Sequence, residues 1–125
     1  MSGGVAIIVK NCVLASELKL KTRLEAVAAT LLAHKTITVC SIYIEPQLKI
    51  TLLELEGRLK QLPEPYLVVG DFNAHSRFWG SGKMDSRGQL IEDFILSTNV
   101  CLLNSGKPTY CSPSSGENEC FRFVF

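Results

Sequence analysis

Asp71 and Asn73 stand two residues apart in "YLVVGDFNAHSRFWGS", Tyr66 to Ser81, where an apolar run gives way to polar and aromatic side chains. An acid in that position can orient and deprotonate a water for attack on phosphorus, or bind a divalent cation through oxygen, the donor that hard cations prefer. Asn73 adds an amide that can hold a phosphate oxygen or position the acid without adding charge. His75, Arg77, Trp79, Lys83 and Arg87 follow closely. Together they offer cations for phosphates and an aromatic surface for a base or sugar. Tyr43, in "SIYIEP", falls at the end of an expected strand, where its phenol can donate a hydrogen bond to a phosphate oxygen.

Each of these residues also has a plainer role. Asp and Asn are common where a strand turns into a loop. Trp79 suits a packing anchor, Lys83 and Arg87 a solvated loop, His75 a structural contact and Tyr43 a half-buried strand position. Glu25, in "RLEAVA", has the chemistry of a metal ligand, but a mid-strand position reads as an ordinary paired or outward-facing carboxylate. Spacing alone leaves these alternatives open.

The elements that must hold the site follow from periodicity. "GVAIIVK", Gly4 to Lys10, is a near-continuous apolar run that suits a strand buried on both faces. "RLEAVAATLL" and "TITVCSIYI", separated by "AHKT", read as two neighbouring strands joined by a short turn. From Leu48 to Leu62, leucines recur at steps of four and three, which predicts an amphipathic helix. Glu54 with Arg58 and Glu56 with Lys60 are spaced for ion pairs on its outer face. Pro63 and Pro65 end that helix, and "YLVV" becomes a short central strand running into Gly70 and Asp71. A second helix is expected over "RGQLIEDFILSTN", with Ser86 as N-cap and Asn99 closing its end. "VCLLN" is expected to be a further strand, "PTYCSPSSGENE" a loop, and "CFRFVF" an apolar strand-like end with nothing to cover it. Strands alternating with helices imply an α/β layered domain, whose ligand sites lie at the carboxyl ends of strands.

Composition sets the outer limits. At 125 residues, 46% hydrophobic and 20% charged, the chain suits one globular domain and not a disordered, collagen-like or coiled-coil class. A net charge of +1 lacks the strongly basic balance of many nucleic-acid binders, so any such role must rest on local residues. No apolar run reaches the ~20 residues that span a bilayer, and no basic segment precedes the first apolar one, which reads as a soluble, unsecreted, intracellular chain. The five cysteines, Cys12, Cys40, Cys101, Cys111 and Cys120, include no C-x-x-C pair and are read as reduced thiols, several of them buried.

In order along the chain, "GGVAIIVK", "LEAVAATL", "VCSIYIEP", "LVVGDFNAHSRFWGS", "DSRGQLIEDFI" and "LLNSGKPTY" closely resemble the endonuclease domain of non-LTR retrotransposons, a branch of the endonuclease/exonuclease/phosphatase family. The resemblance runs from Gly3 to about Tyr110. G-D-F-N points to the broad family, while A-H, W-G, D-S-R-G and L-N-x-G-x-P-T point to the retrotransposon branch. It implies a partial four-layered α/β sandwich, two mixed sheets flanked by helices, DNase-I-like. It also implies cleavage of DNA phosphodiesters with a divalent cation, Mg²⁺ or Mn²⁺, leaving a 3′ hydroxyl for reverse transcription by a domain of the same polyprotein, in the nucleus. By motif match the resemblance implies that Asp71 aligns the attacking water and is a metal ligand, that Asn73 binds phosphate, and that Tyr43 is the active-site tyrosine. His75 matches a polar residue common beside the motif, and Thr109 lies in a stretch that shapes the DNA-facing surface.

The same family carries an Asn and a metal-binding Glu upstream of the segment matching "GGVAIIVK", and an S-x-I-D-L-like run and an S-D-H downstream. This sequence has neither upstream residue, has "NECFRFVF" in place of the first downstream run, and lacks the second. Residues 1–125 therefore read as a single partial domain with a divergent tail at 111–125 and with impaired cleavage, since losing members of a cooperating catalytic set costs orders of magnitude in rate. Two other functions compete. One is weak, non-catalytic nucleic-acid binding through Arg77, Trp79, Lys83 and Arg87, and the other is a phosphatase of the family acting on a small phosphoester.

Overall fold

β-branched and apolar residues in two adjacent runs make a hairpin: β2 (Glu25–Leu32) pairs antiparallel with β3 (Thr36–Tyr43) over its full length. The computed structural model describes residues 4–107, 110–111, 118–119 and 122–124. A preceding strand, β1 (Leu14–Leu18), pairs antiparallel with β2 at the sheet edge. After β3 the chain crosses through α1 (Leu52–Leu59) and returns as β4 (Tyr66–Asp71), which runs parallel to β3. A short 3-10 turn, Arg77–Trp79, and the longer α2 (Ser86–Ser97) follow. β5 (Tyr110–Cys111) and β6 (Asn118–Glu119) form a separate two-stranded sheet, and β7 (Arg122–Val124) joins the main one. The main sheet is mixed and five-stranded, ordered β1-β2-β3-β4-β7.

Alternation along the strands separates its two faces. Ala28, Cys40, Ile42 and Val68 are buried in one core with Leu55 of α1 and Ile91, Phe94 and Ile95 of α2. The intervening Val27, Ala29, Val39 and Val69 point to the opposite face and are half-buried, because successive strand side chains alternate between faces. Burying an aliphatic side chain contributes ~1.5 to 3 kcal/mol. The helix-covered face therefore holds most of the packing energy and fixes where β3 and β4 end.

Both helices start on side chains that satisfy amide groups which have no partner within the helix. Thr51 and Glu54 form a reciprocal capping box at α1, and Asp85 caps α2 by accepting from the Gly88 amide at 2.6 Å. Asp85 thus takes the place expected of Ser86, and Thr98 stands at the C-cap in place of Asn99. α1 is shorter than the leucine spacing predicts, with Leu48 and Leu62 packing from outside it. Neither expected surface pair forms. Glu54 instead binds Arg23, and Arg58 is buried and donates to the Lys21 carbonyl at 3.0 Å.

Three further expectations change. Residues 4–10 are not a doubly buried strand: they belong to no ladder, and Ile8 is 96% exposed. β1 occupies the place beside β2, and the run's backbone bond is local, with the Val13 amide donating to the Lys10 carbonyl at 3.0 Å. "VCLLN" is irregular for the same reason, since β4 is flanked by β3 and β7. Of the strand-like end "CFRFVF", residues 122–124 form the edge strand that pairs antiparallel with β4, as its pattern suggests. Cys40 is buried, and burial pushes its thiol up to about 11, while Cys12 and Cys101 are exposed. Of the loop "PTYCSPSSGENE", residues 110–111 and 118–119 pair as strands, and the remainder lies outside the described residues.

Candidate active site

Strand register brings the leading residues together. Tyr43 and Asp71 are direct partners at the carboxyl ends of the parallel strands β3 and β4. Register partners in a sheet point to the same face, so the phenol and the carboxylate share one end of one surface. On one side Glu25 is the partner of Tyr43, and on the other the backbone of β7 pairs with β4, with residue 122 opposite Asp71 in register. Glu25 thus stands in line with the two predicted residues, although its position in the sequence marks it as unremarkable. Its chemistry suits a metal ligand, but only cross-strand register places it beside Tyr43.

Past Asp71 the chain makes a tight turn built from its own side chains. Asp71 Oδ1 accepts from the Asn73 amide at 3.1 Å, and Asn73 takes a left-handed conformation with φ 47°. Asn tolerates that region better than most residues with a Cβ. The Asn73 side chain reaches back and donates through Nδ2 to the Ile44 carbonyl at 2.9 Å, one residue beyond Tyr43. Turn chemistry and site assembly are therefore one feature here. The bond to Ile44 fixes the amide beside the β3 end and leaves its second N–H for another acceptor.

Gly70 allows the close approach this requires, since a Cβ there would lie 1.9 Å from the Ile42 carbonyl oxygen. Downstream, α2 is clamped onto the same loop. The Asp85 carboxylate meets His75 Nδ1 at 2.6 Å and accepts from the His75 amide at 3.1 Å, besides capping its own helix. Burial opposes ionisation of Asp85, but the hydrogen bonds from His75 and from the Gly88 and His75 amides outweigh it and hold its pKa below the ordinary value. Asp85 carried no candidate role in the sequence. The signal available was its place one residue before a helical pattern.

The cationic and aromatic residues divide. Arg77 and Lys83 are exposed on the loop. Trp79 is fully buried, its indole donating to the Ala74 carbonyl at 3.2 Å, so it is a packing anchor and no stacking surface for a base. The exposed aromatic is its neighbour Phe78, 55% exposed and set edge-on to Trp79 at 6.5 Å. The 3-10 turn causes this exchange by sending adjacent side chains in different directions. Arg87 does not stand in a solvated loop. It lies in the first turn of α2, and its guanidinium donates to the carbonyls of Phe72, Asn73, Pro46 and Leu48. Asn73, Arg87, Leu48 and Lys49 border a cleft of ≈ 570 Å³. Thr109 lies outside the described residues.

A hard cation calls for several oxygen donors. Among the described residues no group of three or more His, Cys, Asp or Glu side chains could hold a metal ion. Asp71 supplies the right kind of donor but not, among the described residues, the number.

The sequence profile of the family described as endonuclease-reverse transcriptase matches residues 37–120, from the start of β3 through the turn and α2. The chain belongs to this endonuclease-reverse transcriptase family. Its members hydrolyse phosphodiesters, which agrees with the resemblance carried by G-D-F-N and D-S-R-G. Among the relatives, the "Probable RNA-directed DNA polymerase from transposon X-element" of Drosophila melanogaster is 31% identical over 111 residues, 86% of this chain and 12% of its own length. The "RNA-directed DNA polymerase from mobile element jockey" of the same species is 26% identical over 113 residues, 88% of this chain and 12% of its own. The chain thus spans 12% of the length of either relative. Among solved structures, the endonuclease domain of TRAS1, a telomere-specific non-LTR retrotransposon, matches with a TM-score of 0.77 and 23% identity, covering 94% of this chain and 57% of that one. That likeness establishes the DNase-I-like α/β fold, present here in part.

Proposed function

We propose that this stretch of the endonuclease-reverse transcriptase family acts on DNA, hydrolysing a phosphodiester at the Tyr43–Asp71–Asn73 site. The observation that carries the reading is the register that makes Tyr43 and Asp71 neighbours at the strand ends, with Asn73 tied beside them through Ile44. The Asp71 carboxylate orients a water in line with the bond to be broken and accepts its proton. The second N–H of Asn73 and the phenol of Tyr43 donate to phosphate oxygens where charge develops. Exposed Arg77, Lys83 and Phe78 support the neighbouring strand. His75 and Arg87 serve mainly by shaping the loop, and Thr109 remains assigned to the DNA-facing surface by motif match.

A divalent cation, Mg²⁺ or Mn²⁺, belongs to this reading, with Asp71 as its ligand. One carboxylate is a weak hold, so cleavage by the 125 residues alone is proposed to be impaired. Within the divergent tail from 111 to 125, residues 122–124 pair with β4 beside Asp71. In the longer relatives' setting the partner is a reverse transcriptase domain and the place of action the nucleus. No helix among the described residues is long and apolar enough to cross a membrane. The lack of a three-donor group among those residues favours a second reading, in which the chain binds nucleic acid without cutting it.

Nicking of supercoiled plasmid by the purified chain, with Mg²⁺ or Mn²⁺, with EDTA, and with Asp71→Ala, separates the two. Slow nicking lost in both controls is the expected result. Nicking that survives Asp71→Ala would overturn the site. DNA binding by a folded chain that never nicks would establish the second reading.

A further inference from the structure

Arg87 sits where two loops meet. Through Nη1 it donates to the carbonyls of Phe72 and Asn73 at 3.1 and 3.4 Å, in the turn that follows β4. Through Nη2 it donates to Pro46 at 3.1 Å and to Leu48, in the loop that follows β3. A guanidinium carries five N–H donors, four of them on the two Nη atoms. All four point at backbone carbonyls. Gripping a phosphate in the paired fashion typical of arginine needs two parallel N–H donors, and the Nη atoms have none left for it. We propose that Arg87 is a positioning residue and no phosphate contact: one planar cation sets the spacing between the Asn73 turn and the 46–50 loop that walls the adjoining cleft.

The rest of the first turn of α2 supports this role. Asp85 fastens the loop at His75, and Gly88 permits the contact, since a Cβ there would lie 1.8 Å from the His75 carbonyl oxygen. The helix is thereby held against the loop on one side of Arg87, which fixes where its guanidinium reaches. Lysine cannot replace it, because a single ammonium on a flexible stem has three donors at one point and cannot span two loops. The catalytic consequence rests on the proposed hydrolysis at Asp71 and Asn73, whereas the bridging of the loops does not.

The test compares the full chain with Arg87→Ala and Arg87→Lys in three measurements. The first is amide hydrogen exchange of peptides covering 44–50 and 71–76. The second is the salt dependence of binding to a labelled DNA duplex, and the third is cation-dependent plasmid nicking with and without dilute guanidinium chloride. Both variants are expected to exchange faster in those two peptides and to keep the wild-type salt slope. Nicking is expected to fall about 100-fold in kcat with KM little changed, and guanidinium is expected to restore part of it to Arg87→Ala only. A salt slope reduced by about one in Arg87→Ala would mark a phosphate contact and overturn the proposal. Full nicking by Arg87→Lys would overturn it as well. If the wild-type chain neither nicks nor binds DNA, the functional reading fails by itself. Exchange then decides the positioning role, and unchanged protection in both loops refutes it. Should Arg87→Ala not fold, Arg87→Lys carries the exchange and nicking comparisons, where unchanged protection or full nicking refutes the proposal.

Discussion

Asp85 shows how much one carboxylate can organise. It caps α2, receives the His75 amide and pairs with the His75 ring, and its pKa is held below its ordinary value of 3.8. A group whose folded-state pKa is depressed contributes stability that is fully present above the unfolded value and is lost as pH falls through the folded one. Asn still serves as an N-cap, so Asp85→Asn removes only the charge facing His75 and the start of α2 and should cost ~0.3 to 1 kcal/mol near neutral pH. The gap to wild type should close as the pH drops below 3.8. Urea unfolding of both proteins across that range checks it. A gap that stays constant into acid would mean that the uncharged hydrogen bonds, not the ionised form, stabilise the junction. At this scale the sequence was informative for Asp71 and Asn73, whose spacing is local. It left Trp79 open between a packing anchor and an aromatic surface and passed over Phe78, because which of two adjacent aromatics faces inward depends on the helical turn beneath them.

Among elements, the junction of α2 with the Asn73 loop is the tightest. Gly88→Ala would put a methyl 1.8 Å from the His75 carbonyl oxygen, so helix and loop must part. Overpacking of this kind costs typically ~1 to 3 kcal/mol, and here backbone on both sides resists relaxation. Gly57, inside α1, is the matched control: nothing lies within 4 Å of an added Cβ. Gly57→Ala should stabilise by ~0.5 to 1 kcal/mol through helix propensity alone. Chemical denaturation of the two variants should give shifts of opposite sign, and equal effects would refute the packing difference. Helix positions were largely legible because leucine spacing and proline stops are local signals. The caps shifted by a residue because Asp85 and Ser86 both suit an N-cap, and the competition is settled by which oxygen reaches Gly88.

At the scale of the molecule, the charge balance limits how DNA can be held. With a net charge of +1, the positive field must come from a few exposed side chains such as Lys49, Arg77 and Lys83 near the loops. Each phosphate neutralised on duplex DNA contributes about −0.9 to the slope of log affinity against log salt, so three contacts predict a slope near −3. Fluorescence anisotropy at several salt concentrations measures this. A much steeper slope would require cations beyond this group. The architecture also has two unlike faces, one packed under α1 and α2 and one of half-buried aliphatic side chains. The match to a larger solved domain, of which this chain covers 57%, places the chain in a layered fold and not in a free-standing sheet.

The sequence by itself determined the α/β class, the β2–β3 hairpin, the approximate helices and the D-x-N turn, because each rests on periodicity or on residues close in the chain. It determined the family through motifs in a fixed order. Tertiary structure alone decided which residues meet. The row from Glu25 through Tyr43 to Asp71 exists because three strands align in one register. The grip of Arg87 on two loops exists because α2 docks where those loops converge. The fate of the apolar runs at 4–10 and 100–104 was decided the same way. A strand requires a neighbour to complete its hydrogen bonds, and neither run joins the ladder that the described residues form in the order β1-β2-β3-β4-β7.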